Sequence, residues 1–332
     1  MTISLYREED ADQWDSFIRE SSINGNFLQS RRFLSYHPKG RFDDFSLMYS
    51  DKKGNLRSLI PGAIKITDGR KIFASHPGST YGGIVIDEKT ASAKRLQALI
   101  DELSVFLSEQ GFDAVDLRFP PDFMWRRQES PLVEYMLRLN GFDERTELTT
   151  YIDFSQYKES VLSNFSQGKR TNVNNGMKQG LRFEILSKYE DIANLHSLLT
   201  DNLKKYDAAP VHSVDELWDL YSSRLPGETE IVGVFDEDRK LLAAGWLFIF
   251  EGSNTVHTQY LCADAEYATL SPMTFLYYSC IMYCKERGFR YLSWGISTED
   301  RGSRLNWGLT ESKEHFGSLH GVHRSYVKVI CG

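Results

Sequence analysis

The side chains best suited to ligand chemistry form a basic run in an otherwise acidic chain. Residues 155–180 hold four cations against a single acid, Glu159, and two further cations follow, so that the run comprises Lys158, Lys169, Arg170, Lys178, Arg182 and Lys188. Such a run is either a solvated helix face or a local positive surface that meets the phosphates of a ligand. The formal net charge of −7 argues against a general coat for nucleic acids and leaves a localised anion site open.

Familiar catalytic motifs are absent from the sequence. It contains no G-x-S-x-G nucleophile elbow, no G-x-x-x-x-G-K-[ST] phosphate loop, no G-x-G-x-x-G fingerprint and no H-E-x-x-H pair. The histidine cluster His315, His320 and His323 lacks a cysteine or carboxylate at ligand spacing, so we expect hydrogen-bonded histidines and no metal site. Without a C-x-x-C pair or a secretory context, we expect reduced, buried thiols at Cys262, Cys280, Cys284 and Cys331.

The composition is typical of a globular protein with a substantial core. Of the 332 residues, 41% are hydrophobic and 26% are charged, and the length is sufficient for two domains. No stretch of 18 consecutive apolar residues is present, and the N-terminus lacks a basic-then-apolar signal pattern. The sequence therefore predicts a cytoplasmic protein without a membrane span, for which peripheral membrane association stays open.

The elements that must position these side chains repeat once along the chain. Alternating strands flank a polar turn at residues 51–55, and the strand after this turn is expected to run from residue 56 to Ile66. A second such hairpin flanks the turn at residues 236–240. In each half an amphipathic helix follows. The first has its apolar face over residues 96–107 and ends at Gly111, and the second is expected to begin with Ser271 as its cap and Pro272 in its first turn and to end at Gly288.

A matching strand follows each helix, at residues 112–119 and 289–296. We therefore predict an α/β fold with mixed sheets flanked by helices, in tandem domains over 1–150 and 151–320. Residues 321–332 are a candidate final strand of the first domain. Between the halves we predict a helical stretch at 155–180, a helix at 190–205 and a capping box at Ser213–Glu216.

The order of several short segments resembles the FemX/FemAB-type peptidyltransferases and their acyltransferase relatives, which are built from two tandem GNAT-like domains. The resemblance extends over about 300 residues. The segments are Asn26–Gln29 before a helix with Phe33, Leu117-Arg118-Phe119, the basic Lys169–Gly180 segment, Tyr260 twelve residues before Pro272, and Glu311–Gly317.

This resemblance implies an acyltransferase that moves an aminoacyl group from aminoacyl-tRNA to an amine on a cell-wall or surface-polysaccharide precursor. In such a transfer the developing oxyanion needs a positive or hydrogen-bonding partner, and a base must accept the amine proton. Lys313 matches the family lysine near the donor, and we assign it to stabilise the oxyanion or the donor phosphate. Tyr260 matches a tyrosine that contacts the acceptor, and a half-buried structural tyrosine is the alternative.

Further substrate contacts follow from the same resemblance. Arg118 at the end of a strand is a candidate for binding an anionic substrate, although Pro120 and Pro121 depart from the family pattern there. His37 and Lys39 lie where a relative uses a lysine for the acceptor's phosphates, and His212 lies near its arginine. Lys169 and Arg170 complete the predicted substrate-binding set.

No cofactor is expected, and the donor is the main open choice. CoA-dependent GNAT domains carry a glycine-rich loop that binds the pyrophosphate, whereas residues 262–272 contain no glycine and two acids. Aminoacyl-tRNA is therefore favoured as the donor. An acyl-CoA-dependent N-acyltransferase acting on an amino sugar or nucleotide sugar, and a catalytically degenerate tandem-GNAT binding protein, stay as alternatives.

Overall fold

The chain divides into two compact units. In this computed structural model, which describes residues 2–126, 130–204 and 207–330, unit 1 consists of Met1–Glu147, Asp300–Ser303 and Val322–Gly332. Unit 2 consists of Leu148–Glu299 and Arg304–Gly321. The domain boundary that we expect from the sequence, at residue 150, lies beside the division after Glu147, and most of the expected final strand lies in unit 1.

Unit 1 contains two sheets. One has the strand order β1-β3-β4-β7, and in the other β17, β8, β6, β5 and β2 lie side by side, with β6 and β8 parallel. The elements are β1 Thr2–Leu5, α1 Ala11–Ser16, α2 Arg31–Leu34, β2 Asp43–Asp44, β3 Leu47–Ser50, β4 Leu56–Ile60, β5 Gly62–Thr67, β6 Arg70–Ser75, β7 Val85–Ile86, α3 Ala93–Glu109, β8 Ala114–Arg118 and α4 Ser130–Leu139.

Unit 2 has a sheet of order β10-β11-β12-β13-β14-β9. Two of the strands in the chain, β9 Asp143–Asp153 and β17 Leu319–Val329, begin in one unit and end in the other. The remaining elements are α5 Gln167–Lys178, β10 Arg182–Leu186, α6 Tyr189–Lys204, α7 Val214–Asp219, β11 Thr229–Phe235, β12 Leu241–Phe250, β13 Thr255–Ala263, α8 Pro272–Glu286, β14 Tyr291–Ile296, β15 Thr298–Glu299, β16 Arg304–Leu305 and α9 Trp307–Glu314.

Each unit has its own hydrophobic core. The predicted apolar face of α3 is buried in unit 1, where Leu96, Leu99, Ile100, Leu103 and Leu107 are each at most 1% exposed. In unit 2 the core lies between the sheet and α5 and α8, with Val173, Phe275 and Cys280 among its buried side chains. Within the described ranges, no helix has both the length and the apolar character needed to cross a bilayer.

The predicted elements are confirmed in outline, and three details are wrong. The strand expected to run from residue 56 to Ile66 is split at Pro61 into β4 and β5, which belong to different sheets, because proline cannot donate to a ladder. Ser271 precedes α8 in a left-handed conformation and makes no side-chain cap. Only residues 167–178 of the expected 155–180 stretch form an α-helix.

The capping box before α7 forms as predicted. The Ser213 backbone N–H donates to Glu216 Oε2 at 2.7 Å, and the Glu216 N–H donates back to Ser213 Oγ at 3.2 Å. These two bonds satisfy donors that a helix start would otherwise leave free. The capping box thus fixes the start of α7. The predicted end of α6, at residue 205, falls outside the described residues.

A glycine at the tip of the short β15–β16 hairpin permits a comparison of matched substitutions. Gly302 has a φ of +89° and a Cβ there would collide with the Thr146 carbonyl oxygen, so we expect Gly302→Ala to lower the free energy of unfolding by about 1–3 kcal/mol. A Cβ at Gly308 in α9 would meet no atom within 4 Å, and we expect Gly308→Ala to raise the free energy of unfolding by about 0.5–1 kcal/mol. Urea unfolding measures both, and equal effects would contradict the steric account.

Candidate functional site

The sheet of unit 2 opens between two parallel strands. β13 and β14 pair only over Thr255–His257 and Tyr291–Ser293, and beyond these residues the two strands continue without pairing to each other. A bulge in β13 at Gln259, opposite Trp246 and Leu247, accompanies the separation. We call the gap between residues 258–263 of β13 and 294–296 of β14 the fork. It lies at the carboxyl ends of parallel strands, where α/β sheets usually bind ligands.

Lys313 is buried at the β14 arm of the fork. It lies on α9 and is 3% exposed, and its Nζ donates to the carbonyl oxygens of Gly295 at 3.1 Å and Ile296 at 2.9 Å. A third bond, also of 2.9 Å, joins Nζ to Ser297 Oγ. Among the described residues no carboxylate pairs with this amine, and burial lowers the pKa of Lys313 to about 7. Both protonation states are therefore populated at neutral pH.

The three hydrogen-bond partners of Lys313 differ in whether they can donate as well as accept. The two carbonyl oxygens only accept, whereas the Ser297 hydroxyl can accept from an ammonium or donate to a neutral amine. Ser297 Oγ also lies 3.1 Å from Thr150 Oγ1, so it keeps a partner when its bond to Lys313 breaks. The side chains of Lys313, Ser297 and Thr150 are all buried. The hydroxyls of Ser297 and Thr150 are therefore the part of the site whose hydrogen bonds can rearrange.

Lys169 approaches the same helix from α5. Its Nζ donates to Ser312 Oγ at 3.2 Å and lies 4.7 Å from the centre of the Phe316 ring. Burial lowers the pKa of Lys169, and none of the described carboxylates forms an ion pair with it. Two partly or wholly desolvated lysines without a counter-ion are thus held at α9, an arrangement that favours a bound anion or a developing oxyanion.

The Glu311–Gly317 segment, one of those that carry the resemblance, forms the last turn of α9 and the three residues after it. Phe316 stacks on Tyr277 with ring centres 4.7 Å apart, and Tyr157 Oη donates to the Phe316 carbonyl at 2.6 Å. Gly317 has a φ of +76°, and a Cβ there would lie 2.9 Å from the Asn164 carbonyl oxygen. The spacing from Lys313 to Gly317 is therefore required by packing that fixes α9 against the core.

Tyr260 lies on the opposite arm of the fork. It is half-buried beside the bulge of β13, and burial raises the pKa of its phenol, which stays protonated at neutral pH. Phenol groups of this kind donate one hydrogen bond and present an apolar ring. The position suits contact with a ligand in the fork, and the acceptor contact stays a prediction.

The segment between β13 and α8 differs from a glycine-rich phosphate loop. Residues 265–270 form a 3₁₀ turn that Asp264 caps, with its Oδ1 accepting from the Glu266 N–H at 3.0 Å. Asp264 also pairs with Lys240 at 3.5 Å. Two acids therefore precede the start of α8, an arrangement that opposes a pyrophosphate there.

Unit 1 has the equivalent pair of parallel strands, but side-chain and backbone bonds bridge them. β6 and β8 pair up to Ala74 and Asp116, and Ser75 Oγ then accepts from the backbone N–H of Arg118 at 2.9 Å and of Gly83 at 3.1 Å. The Gly82 N–H donates to the Arg118 carbonyl at 2.9 Å. The Arg118 side chain is exposed at this closed end, and its contact with an anionic substrate stays a prediction.

The other predicted acceptor contacts are distributed between the units. In unit 1, His37 is buried with Nε2 3.1 Å from the Gly78 carbonyl, and Lys39 forms an exposed ion pair of 3.2 Å with Glu8. In unit 2, His212 is half-buried and its carbonyl accepts from His196. Their roles stay predictions, as does that of the exposed Arg170 on α5.

The histidine cluster has a different carboxylate beside each ring. His315 lies 3.9 Å from Glu311, His320 lies 2.9 Å from Glu314, and His323 lies 3.2 Å from Glu147. The expected buried thiols are confirmed for Cys262, Cys280 and Cys284, while Cys331 lies outside the described residues.

Comparisons with known proteins agree with this geometry. Residues 163–301 match the family model described as an acetyltransferase (GNAT) domain, which includes the fork and ends before α9. No curated protein matches the chain. Unit 2 therefore contains an acyltransferase domain of the GNAT type, as the resemblance of the sequence predicted.

Solved structures extend the likeness to nearly the whole chain. FemX matches with a TM-score of 0.70 at 12% identity, over 99% of this chain and 97% of its own. L-PGS from Bacillus licheniformis matches with a TM-score of 0.62 at 13% identity, over 97% and 93%. A tandem GNAT protein from the clavulanic acid biosynthesis pathway matches with a TM-score of 0.51 at 9% identity, over 100% and 99%. These likenesses confirm the predicted tandem GNAT-like fold.

Sequence reasoning did not identify Ser297 and Thr150 as part of the site. Ser297 directly follows the strand predicted at 289–296, so its place at a carboxyl strand end was a usable signal. No signal in the sequence pointed to Thr150, because its contact with Ser297 depends on the pairing of β9 with β14, which are far apart in sequence.

The buried amine predicts a specific pH dependence of stability. An ordinary lysine has a pKa of about 10.4, so between pH 7 and pH 10 the unfolded chain binds more protons than the folded chain at Lys313. The free energy of unfolding of the native chain, relative to Lys313→Met, should therefore rise by several kcal/mol, to order of magnitude, as the pH increases through this range.

Urea unfolding of both proteins at several pH values measures this difference. The cost of burying the ammonium is complete below about pH 7 and is relieved above it. If the free energies of unfolding of the native chain and Lys313→Met changed with pH in the same way, the Lys313 amine would not have the lowered pKa that its burial causes. Thr310→Val serves as a control, since the Thr310 hydroxyl donates to the carbonyl of Asn306, the N-cap residue of the same helix, and to no other described residue.

Proposed function

We propose that the protein transfers an aminoacyl group from aminoacyl-tRNA to an amine on an anionic cell-envelope precursor. The observation that carries the proposal is the buried Lys313 amine, which has no carboxylate partner among the described residues and lies at the open fork of a GNAT-type domain. A desolvated cation at this position suits a reaction in which negative charge appears only in the transition state.

The proposed reaction is a direct displacement at an ester carbonyl. The acceptor nitrogen attacks the carbonyl carbon, the new C–N bond forms, and the C–O bond to the ribose breaks. The amine loses a proton and the departing ribose oxygen gains one. As negative charge develops on the carbonyl oxygen, the Lys313 ammonium can exchange its bond to Ser297 for one to this oxygen, because Ser297 keeps Thr150 as a partner.

The basic residues of α5 support an anionic donor. Lys169 is fixed beside α9, and Arg170 and Lys178 are exposed on the same helix as it. Neutralising phosphates with such residues releases counterions and makes binding depend on salt. The proposed donor therefore binds through a small basic surface in a chain of net charge −7. A pyrophosphate at the start of α8 is disfavoured, because Asp264 and Glu266 precede that helix.

An acyl-CoA-dependent N-acyltransferase is the second candidate. The description of the matched family as an acetyltransferase domain favours it, whereas Asp264 and Glu266 before α8 oppose it. A degenerate binding protein is the third candidate, supported by the bridged strand ends in unit 1. Any measured acyl transfer would eliminate the third, and a rise in melting temperature with CoA would support the second.

The role of Lys313 can be tested by single-turnover transfer. We expect Lys313→Met to reduce the rate of transfer from charged tRNA to a nucleotide-sugar peptide by about 10²-fold or more, because it removes a preorganised donor to the developing oxyanion. The measurement follows radiolabelled amino acid into the acceptor.

Thr310→Val is the matched control for this experiment, since it deletes a buried hydroxyl on the same helix without touching Lys313. It should retain nearly the native rate. Equal rates for the native chain and Lys313→Met would remove the assigned role. Transfer by the native chain from acyl-CoA but not from charged tRNA would replace the proposed donor with the second candidate.

A further inference from the structure

Acyl transfer to an amine needs a group that accepts the amine proton. The Lys313 ammonium is assigned to the oxyanion and keeps its own proton in that role. The titratable side chains on the arms of the fork are Tyr260 and Cys262, and burial raises the pKa of both, so both stay protonated at neutral pH. Asp264, directly after β13, caps the following turn and pairs with Lys240 at 3.5 Å. The arms of the fork therefore leave the proton acceptor unassigned.

His257 lies at the inner end of the fork, where the pairing of the two arms stops. It is 5% exposed and is in register with Ser293, the last residue of β14 that pairs with β13. Its Nδ1 lies 3.0 Å from Ser293 Oγ, which also accepts from the Gly295 N–H at 3.4 Å. An oxygen that already accepts in this direction favours the tautomer with the proton on Nδ1. The ring lone pair is then on Nε2, where a proton can be accepted.

The bulge of β13 brings His257 and Tyr260 to the same face of the sheet. Residues three positions apart on a regular strand would face opposite sides. In the ladder with β12, however, His257 is opposite Phe248 and Tyr260 is opposite Trp246, with Gln259 as the extra residue. Because Phe248 and Trp246 are two positions apart, they and their partners share one face. The imidazole therefore lies on the face that carries the predicted acceptor contact.

The His257 ring also extends toward the Lys313 site. A Cβ added to Gly295 would lie 3.4 Å from Cε1 of His257, so the ring reaches from Ser293 along β14 in the direction in which the fork opens. The carbonyl of the same glycine accepts from Lys313 Nζ at 3.1 Å. A proton acceptor and a buried amine thus border one residue of β14. Acyl transfer to an amine requires both groups near the reacting carbon.

We propose that His257 is the general base of the transfer, an inference that rests on the proposed function and applies to either candidate donor, because the amine loses a proton in both reactions. As the acceptor nitrogen attacks the carbonyl carbon, its N–H bond breaks and the proton passes to His257 Nε2. The C–O bond to the ribose then breaks, and the imidazolium returns this proton to the departing ribose oxygen. With acyl-CoA, the departing sulfur takes the place of that oxygen. Lys313 keeps its own proton throughout.

The test measures single-turnover transfer by His257→Gln, His257→Ala and Ser293→Ala. Glutamine keeps a hydrogen-bonding group for Ser293 and has no basic nitrogen, so His257→Gln should reduce the maximal rate about 10²-fold or more and leave the half-saturating donor concentration nearly unchanged. Ser293→Ala keeps the imidazole and removes its Nδ1 partner, so the rate should fall less, by about tenfold.

Rescue by added imidazole separates a base from a packing role. His257→Ala should regain part of its rate in proportion to the concentration of neutral imidazole, because the deleted ring leaves space for it. His257→Gln, whose side chain fills that space, should regain little. His320→Gln is the control, since this ring lies outside the fork and bonds to Glu314 at 2.9 Å. It should transfer at nearly the native rate, and thermal unfolding of each variant confirms that it folds.

The possible results distinguish this assignment from the proposed function. Native rates for His257→Gln, in a chain that transfers from charged tRNA, would refute the general base and leave the proposed function intact. A loss in both His257 variants that imidazole does not restore would assign the ring to packing. Transfer from acyl-CoA alone would refute the proposed donor, and the same loss and rescue with acyl-CoA would still support the base. Failure of the native chain to transfer from either donor would refute both proposals.

Discussion

The burial of one lysine amine against the end of a strand is the constraint on which the site depends. The Lys313 amine is buried where none of the described carboxylates pairs with it, and two backbone carbonyls of β14 accept two of its hydrogen bonds. Burying such a group is unfavourable unless its hydrogen bonds are satisfied. The left-handed Gly317, the Tyr157 bond and the stacked rings of Phe316 and Tyr277 fix α9 so that these bonds can form.

The two units follow one plan and differ at the position where chemistry would occur. Each contains a parallel pair of strands, β6 with β8 and β13 with β14. In unit 1 the Ser75 hydroxyl joins the strand ends, whereas in unit 2 the strands diverge and the carbonyls of one arm bind Lys313. The two units thus provide similar frames, and among the described residues a side chain closes the strand ends of unit 1 while the fork of unit 2 stays open.

Much of the fold could be predicted because its signals are local. The α3 face, the β11–β12 hairpin and the Ser213 capping box depend on residues a few positions apart, and all three form as expected. The predictions that failed concern positions where a long-range contact or the backbone chemistry of proline determines the structure. Pro61 ends a strand that the alternation would extend, and Thr150 joins the site only through pairing between β9 and β14. The burial of Lys313 could not be inferred either, because an isolated lysine in a sequence is usually exposed.

The most direct test of the central claim is to locate the bound donor by hydrogen–deuterium exchange. With a hydrolysis-resistant aminoacyl-tRNA analogue, we expect protection in residues 257–263, 291–297 and 307–313, the two arms of the fork and α9. Protection confined to residues 72–86 and 114–119, at the bridged strand ends of unit 1, would contradict the assignment of the donor to unit 2.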